Sequence, residues 1–384
     1  MGIFGLKGII FLKQVIGYRV LKIECTRCGH KLPSKETSYR CPICGGTLDY
    51  FESFIFDAIS IDENLPGIWR FKYSFGLPDE VEPISLGEGD TPLIWDSVNG
   101  RQVAFKLDYL NPTGSYKDRG TTVLISYLSW LGVDYAVEDS SGNAGASFAA
   151  YTSRAGIHGK VFIPDYASGP KRVQIEAYGA ELVPIPGPRS KASQAVEKEA
   201  ESGVVYASHV YQPYVLAGYA TTAYELVSRL GEAPGSVIAP VGQGSYLLGM
   251  ARGFDALKNS GLISELPQMV GVQSRACAPL WAMANYGEES LGSIIEGDTI
   301  AEGIRIRHPL RRKEVLNAVQ ASNGFFAAVE EQDILPARDE MASRGIYVEP
   351  TSAVVWPVLL EHIDKLKDPI VAILTGSGLK YKSI

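Results

Sequence analysis

Asn111-Pro112-Thr113-Gly114-Ser115-Tyr116-Lys117-Asp118-Arg119-Gly120 decides how this chain is read. Before it, residues 102–110 alternate Val103, Phe105 and Leu107 against Ala104, Lys106 and Asp108, which is a strand pattern. After it, residues 121–132 carry apolar side chains at helical spacing and predict a buried helix. Asn-Pro-Thr-Gly-Ser between them is turn chemistry, with Ser115 as the expected N-cap. Lys117 then falls in the first helical turn, at the carboxyl end of a strand. There the positive end of the helix dipole opposes protonation, and burial adds a desolvation cost of the same sign. A neutral lysine amine condenses with carbonyls, so this placement predicts a reactive side chain rather than a solvated surface lysine.

Outward from that loop the chain alternates. Strands are predicted at 135–138, 160–164, 180–185, 204–207, 236–241, 269–273, 324–329, 346–349 and 370–374, with helical patterns between most of them. Such alternation is α/β with mainly parallel sheets, and ligands then sit at the carboxyl ends of the strands. Two more loops fall at such ends. Ser140-Ser141-Gly142-Asn143-Ala144-Gly145 follows a strand and opens a helix over 146–154. Val241-Gly242-Gln243-Gly244-Ser245 lies between a strand and the helix from Tyr246. Backbone N–H groups in a loop of that kind cradle a phosphate, and Gly242 and Gly244 permit its close approach.

A chain of 384 residues buries a large core and splits into more than one domain. Its hydrophobic share of 46% and charged share of 21% are those of an ordinary globular protein. A net charge of −7 without a dense basic run argues against a nucleic-acid surface. Cys25 and Cys28, with Cys41 and Cys44, form two CxxC knuckles, each presenting two thiolates to one ion. Four thiolates close a tetrahedral zinc site and leave no open position, so the metal is expected to be structural. A redox dithiol and a ribbon that has lost its ion are the other readings. His30 beside the knuckles is a bystander, and Cys277 is a core residue. This cysteine usage implies a reducing, cytoplasmic setting. Residues 1–22 form an apolar extension in which Lys7 and Lys13 interrupt runs too short to span a membrane. A tail or helix packed on the body, or on a partner subunit, is expected there rather than a secretory signal. Residues 51–100 are an aromatic-rich connecting arm whose rings serve as packing anchors.

The decapeptide around Lys117 resembles the lysine motif of the fold-type II pyridoxal-phosphate enzymes, and is most similar to that of the threonine synthase family. Ser85-Leu-Gly-Glu-Gly-Asp-Thr-Pro-Leu93 and Leu374-Thr375-Gly376-Ser377-Gly378-Leu379-Lys380 extend the resemblance, which runs from Ile23 onward. It implies two open parallel-sheet domains with the cofactor in the cleft between them, plus a small amino-terminal zinc ribbon. The ribbon would span 23–50 and the catalytic region 51–384, with a smaller mobile subdomain at about 120–212. By the same match Lys117 holds pyridoxal 5'-phosphate and is the catalytic base. Asn143 faces the cofactor's phenolic oxygen. Gly242, Gln243, Gly244 and Ser245 hold its phosphate, and the Thr375 hydroxyl faces its ring nitrogen. Ser141 and Gly142 bind the substrate carboxylate. The implied reaction is that of a biosynthetic lyase, with O-phosphohomoserine and water giving threonine and phosphate, in a homodimer. Segments 299–305 and 349–353 also look family-like and are expected to be scaffold around the site rather than chemistry.

One stretch departs from the family. Its members commonly hold the substrate phosphate with a segment like Asn-Pro-Tyr-Arg-Leu-Glu-Gly-Gln-Lys-Thr. This chain has Gln212-Pro213-Tyr214-Val215-Leu216-Ala217-Gly218-Tyr219-Ala220-Thr221, so the arginine is Val215 and the lysine is Ala220. Lys171, Arg172, Arg154 and Arg305 are candidate replacements. The loss favours an alternative, β-replacement or β-elimination on a serine derivative, of the cysteate synthase or serine/threonine dehydratase kind. A non-enzymatic module on a retired scaffold is a third reading, against which the intact Lys117, Asn143 and Thr375 argue.

Overall fold

Residues 20–294 and 296–381 are described by a computed structural model, so most of the expected 1–22 extension lies outside the described residues. Two short antiparallel strands, β1 (Ile23–Cys25) and β2 (Leu48–Tyr50), close a ribbon around the four cysteines. The arm that follows buries Phe54, Phe56, Trp69, Phe71 and Phe75, whereas Phe51 is 66% exposed and anchors nothing. The Trp69 indole donates to the Thr122 hydroxyl at 2.9 Å, which satisfies the ring's one polar atom inside the core.

A hairpin then opens the first of two α/β units: β3 (Leu93–Val98) and β4 (Arg101–Lys106) pair antiparallel. The turn is Asn99-Gly100, both at positive φ (48° and 82°). An Asn-Gly pair between strands favours such a turn, and this signal was present in the expected arm. After the lysine loop come α1 (Lys117–Trp130), β5 (Tyr135–Glu138), α2 (Asn143–Ala155), β6 (His158–Pro164), α3 (Pro170–Ala177), β7 (Glu181–Ile185), α4 (Arg189–Glu201) and β8 (Val205–Tyr206). Strands β5 to β8 make a parallel four-stranded sheet in the order β7-β6-β5-β8.

The chain returns through α5 (Tyr214–Leu230), β9 (Ser236–Pro240), α6 (Ser245–Asn259), β10 (Gln268–Ser274), α7 (Pro279–Tyr286), α8 (Arg312–Ala321), β11 (Phe325–Val329) and α9 (Glu331–Ser343). It ends in α10 (Pro350–Ala353), α11 (Val355–His362) and β12 (Ile370–Ile373). The larger sheet runs β11-β10-β9-β12-β4-β3, parallel throughout except for β3 at its edge. Helix α5 packs between α1 and α6 at close quarters. A Cβ on Gly218 would lie 1.9 Å from the Arg119 carbonyl oxygen, so only glycine lets α5 approach α1 there.

The alternation expected over 102–110 ends early, because β4 stops at Lys106 and a 3-10 turn covers Asp108–Leu110. Asp108 is fully buried and turns its carboxylate to Arg119 at 2.8 Å, which draws the chain out of the sheet. The strand expected over 346–349 shrinks to one bridge between Val348 and Ser377. Pro350, which begins α10, has no N–H to continue a ladder. No helix among the described residues is long and apolar enough to cross a membrane.

Candidate active site

The lysine loop is fastened to the carboxyl-terminal motif strand-fashion. Ser115 bridges Gly376, the Tyr116 N–H donates to the Thr375 carbonyl at 3.0 Å, and the Ser377 N–H donates to the Gly114 carbonyl at 3.0 Å. Lys380 Nζ reaches back to the Thr113 carbonyl at 2.7 Å. Ser115 is therefore not the N-cap. The cap position is Tyr116, without a capping side chain, and the buried Ser115 hydroxyl has no hydrogen-bond partner among the described residues. The first turn is held instead by Asp118, whose carboxylate accepts the Thr113 N–H and hydroxyl at 2.7 Å each and the Ser147 hydroxyl at 2.7 Å. Burial pushes the Asp118 carboxyl up to about 6, against those hydrogen bonds.

Arg119, like Asp118, serves structure. Arg119 is fully buried and forks onto Asp108 and Glu225 at 2.7–2.8 Å. Lys106 joins Glu225 at 2.6 Å. Two buried cations thus face two buried anions directly behind the lysine loop.

Lys117 opens α1 with its side chain half-buried rather than fully buried, and its Nζ lies 4.8 Å from the Tyr116 ring centroid. That ring stacks on Tyr246 at 4.2 Å. Around Lys117 lies a cleft walled by residues from both α/β units. It gathers every residue predicted for cofactor and substrate: Ser141, Gly142 and Asn143 from the start of α2, Gly242 to Ser245 from the β9–α6 loop, and Thr375 after β12. Asn143 Nδ2 donates to Glu349 Oε1 at 2.8 Å, while its buried Oδ1 has no partner among the described residues. Gly244 takes φ +83°, and a Cβ there would meet Val315 at 2.6 Å. The Gln243 side-chain oxygen accepts the Leu310 N–H at 3.0 Å, which fixes the loop from outside the cleft. The Thr375 hydroxyl lies 2.9 Å from Ser352 Oγ.

Glu302, Gly303, Ile304, Glu349 and Thr351 lie on the cleft wall, so the segments expected to be scaffold around the site border it directly. Glu349 is held at 2.9 Å by Lys171, which alone of the four candidate replacement cations reaches the cleft. Arg172 instead pairs with Glu176, Arg305 pairs with Glu296 and Asp298, and Arg154 is exposed. Val215 and Ala220 are each 1% exposed within α5 and do not line the cleft. Arg189 and His209 do, and neither was singled out.

The donor set fits pyridoxal phosphate. A primary amine, an orphaned buried amide oxygen at Asn143, a glycine loop opening a fifteen-residue helix and a hydroxyl at Thr375 face one cavity. In the ribbon the four cysteines are free thiols whose sulfur atoms all lie within 4.8 Å of one another, with neighbours at 3.4–3.7 Å. Tetrahedral ligands at a Zn–S distance of about 2.3 Å stand roughly 3.8 Å apart, so the group is compatible with zinc.

Comparison with known proteins agrees with this geometry. The family described as "Pyridoxal-phosphate dependent enzyme" matches residues 84–376. A threonine synthase of Methanocaldococcus jannaschii is 33% identical over 376 residues, covering 93% of this chain and 92% of the relative. A threonine synthase of Synechocystis is 36% identical over 314 residues, or 79% and 80% of the two chains. Among solved structures, a T.th. threonine deaminase superposes with a TM-score of 0.61 at 26% identity, covering 77% of this chain and 93% of that one. An O-ureido-L-serine synthase gives 0.65 at 20% identity over 79% and 94%, which speaks to the fold alone.

Proposed function

Because the chain belongs to the pyridoxal-phosphate dependent enzymes of fold type II, we propose that it is a threonine synthase, converting O-phosphohomoserine and water to threonine and phosphate. The observation that carries this reading is the end-to-end match, at 33% identity over 93% of the chain, to a relative of that name. When bound, the cofactor supplies an electron sink for negative charge developing on the substrate's carbons.

This chain's residues do the rest. Lys117 would hold the cofactor, Asn143 its phenolic oxygen, the N–H groups of Gly242 to Ser245 its phosphate, and Thr375 its ring nitrogen. A hydroxyl at that nitrogen favours elimination and replacement over transamination. Ser141 and Gly142 receive the substrate carboxylate at the amino end of α2. The Lys117 amine moves protons at Cα and Cβ. Phosphate leaves from Cγ, which takes up a proton in its place, and water adds at Cβ, from which a proton has been removed. Residues about 120–212, which include the smaller sheet, close on the substrate and shut out bulk solvent beyond the reacting water. Cysteine usage and the family resemblance support a cytoplasmic homodimer.

One observation favours the second reading, β-replacement or β-elimination on a serine derivative: Val215 and Ala220 are packed inside α5 and offer no charge to a substrate phosphate. Purified holoprotein given O-phosphohomoserine, O-phosphoserine with sulfite, or threonine separates the two. Threonine and phosphate are expected from the first substrate only. No product from it, with turnover of either other substrate, overturns the assignment.

The ribbon's four cysteines bind one structural zinc. Its loss is expected to leave the CxxC knuckles without their cross-link. Metal analysis should return about one zinc per chain. Chelation should then lower the unfolding midpoint, because Asp49 on ribbon strand β2 pairs with Arg252 at 2.7 Å and Arg311 at 3.3 Å on the body. A metal-free protein with an unchanged midpoint would contradict this.

A further inference from the structure

The cleft holds one cation that the assignments above leave unused. Arg189 is the first residue of α4 and lines the cleft. Among the described residues it has no hydrogen-bond or ion-pair partner. Lys171, by contrast, is engaged by Glu349 at 2.9 Å. Nor can position 215 take up the task. Val215 is buried at 1% exposure beside Gly120 of α1 and does not line the cleft.

His209 lines the same cleft, close enough to feel the charge of Arg189, and its Nδ1 lies 2.6 Å from Glu138 Oε1. Glu138 is 1% exposed, and its other oxygen has no hydrogen-bond partner among the described residues. Burial pushes the Glu138 carboxyl well up and Asp139 adds to it, against the His209 backbone N–H, Arg189 and Lys117. Burial also pushes the His209 imidazole well down; Lys117 acts in the same direction, against Asp139, and Arg189 adds to the lowering. With Nδ1 engaged by Glu138, Nε2 is the ring nitrogen left to meet a ligand.

The ligand atoms of Glu138, Asp139 and His209 lie within 4.8 Å of one another, a spacing that would also suit a cation. Asp139, however, already accepts from Tyr206 at 2.8 Å and Ser193 at 2.5 Å. Lys117 and Arg189 also impose positive potential on the cluster. An incoming cation would be repelled by both, whereas an anion would be drawn to them.

We propose that Arg189 and His209 form the subsite for the substrate's distal phosphate, in place of the arginine and lysine missing at Val215 and Ala220. This rests on the threonine synthase reading. The guanidinium supplies a planar fork matched to phosphate oxygens, the imidazole Nε2 supplies a third contact, and the dipole of α4 adds positive charge at its amino end.

Calorimetric titration of the holoprotein tests it, with 2-amino-5-phosphonopentanoate as the non-hydrolysable phosphate isostere and homoserine as the ligand lacking the anion. Wild type should bind the phosphonate more tightly. Arg189→Ala and Arg189→Gln should each weaken the phosphonate about ten- to a hundred-fold. Both should leave homoserine and the bound cofactor's absorbance unchanged. Arg189→Lys should recover part of the loss, keeping the charge without the fork. His209→Ala should move in the same direction by less. Wild-type preference that survives Arg189→Ala and Arg189→Gln overturns the subsite and leaves the threonine synthase reading standing. A wild type that binds the two ligands equally overturns both.

Discussion

Replacing Lys117 by alanine is expected to abolish turnover of O-phosphohomoserine and to remove the visible absorbance of bound cofactor, while the fold stays intact. On the proposed reading the same side chain both holds the cofactor and moves the protons. Proton transfer by a positioned base contributes about 10²–10⁴-fold, and loss of the covalent anchor comes on top of it. Residual activity should therefore lie below roughly a thousandth of wild type. The fold should tolerate the change because Lys117 is half-buried and makes no ion pair among the described residues. Its contact with the Tyr116 ring at 4.8 Å is the main protein interaction lost. An unfolding midpoint near wild type, together with a colourless and inactive protein, is the expected pattern. A yellow, active Lys117→Ala protein would remove Lys117 from the chemistry.

That expectation could be written from the sequence because the loop, its strand and its helix are contiguous, and turn chemistry is local. The fold class was legible for the same reason: periods of about 2 and 3.6 report on neighbours in the chain. What the periods cannot report is where a polar side chain goes. Asp108 sits in phase with the alternation of β4, yet it leaves the sheet because Arg119, further along the chain, needs a buried counter-ion. Ser115 has the composition of a cap, but its backbone is engaged by Gly376 from the far end of the chain. Glu349 follows a run that looks like a strand, and only the fold brings it to Asn143 and Lys171. Arg189 and His209 belong to no motif and stand far apart in the chain, joined by a cleft that neither segment encodes alone. Val215 and Ala220 mark the opposite case. Their missing charges are plain in the sequence, and the structure adds that both side chains are buried in α5 away from the cleft lining.

The second large effect concerns the charge balance behind that loop. Glu225→Ala is expected to cost about 3–5 kcal/mol of stability, the range for breaking a buried pair from one side. The Glu225 carboxylate accepts four N–H bonds, from the Asp90 backbone, two Arg119 nitrogens and Lys106, at 2.6–2.8 Å. Removing it leaves Arg119 and Lys106 buried with only Asp108 to offset them. If unpaired charge is the cause, removing a cation along with the anion should relieve it. Lys106→Met with Glu225→Gln should therefore lose less stability than Glu225→Gln alone, as measured by equilibrium denaturation. A double variant that is worse by the full cost of Lys106→Met would assign the penalty to packing instead. The pH dependence has a defined sign. Burial would raise the Glu225 carboxyl, but Arg119 and Lys106 outweigh it and hold the group well below the usual range. Its contribution is thus complete above the unfolded value of about 4.3 and is lost only as pH falls toward the lower folded value. Wild type should consequently lose stability steeply below about pH 4, and Glu225→Gln should lack that part of the acid limb.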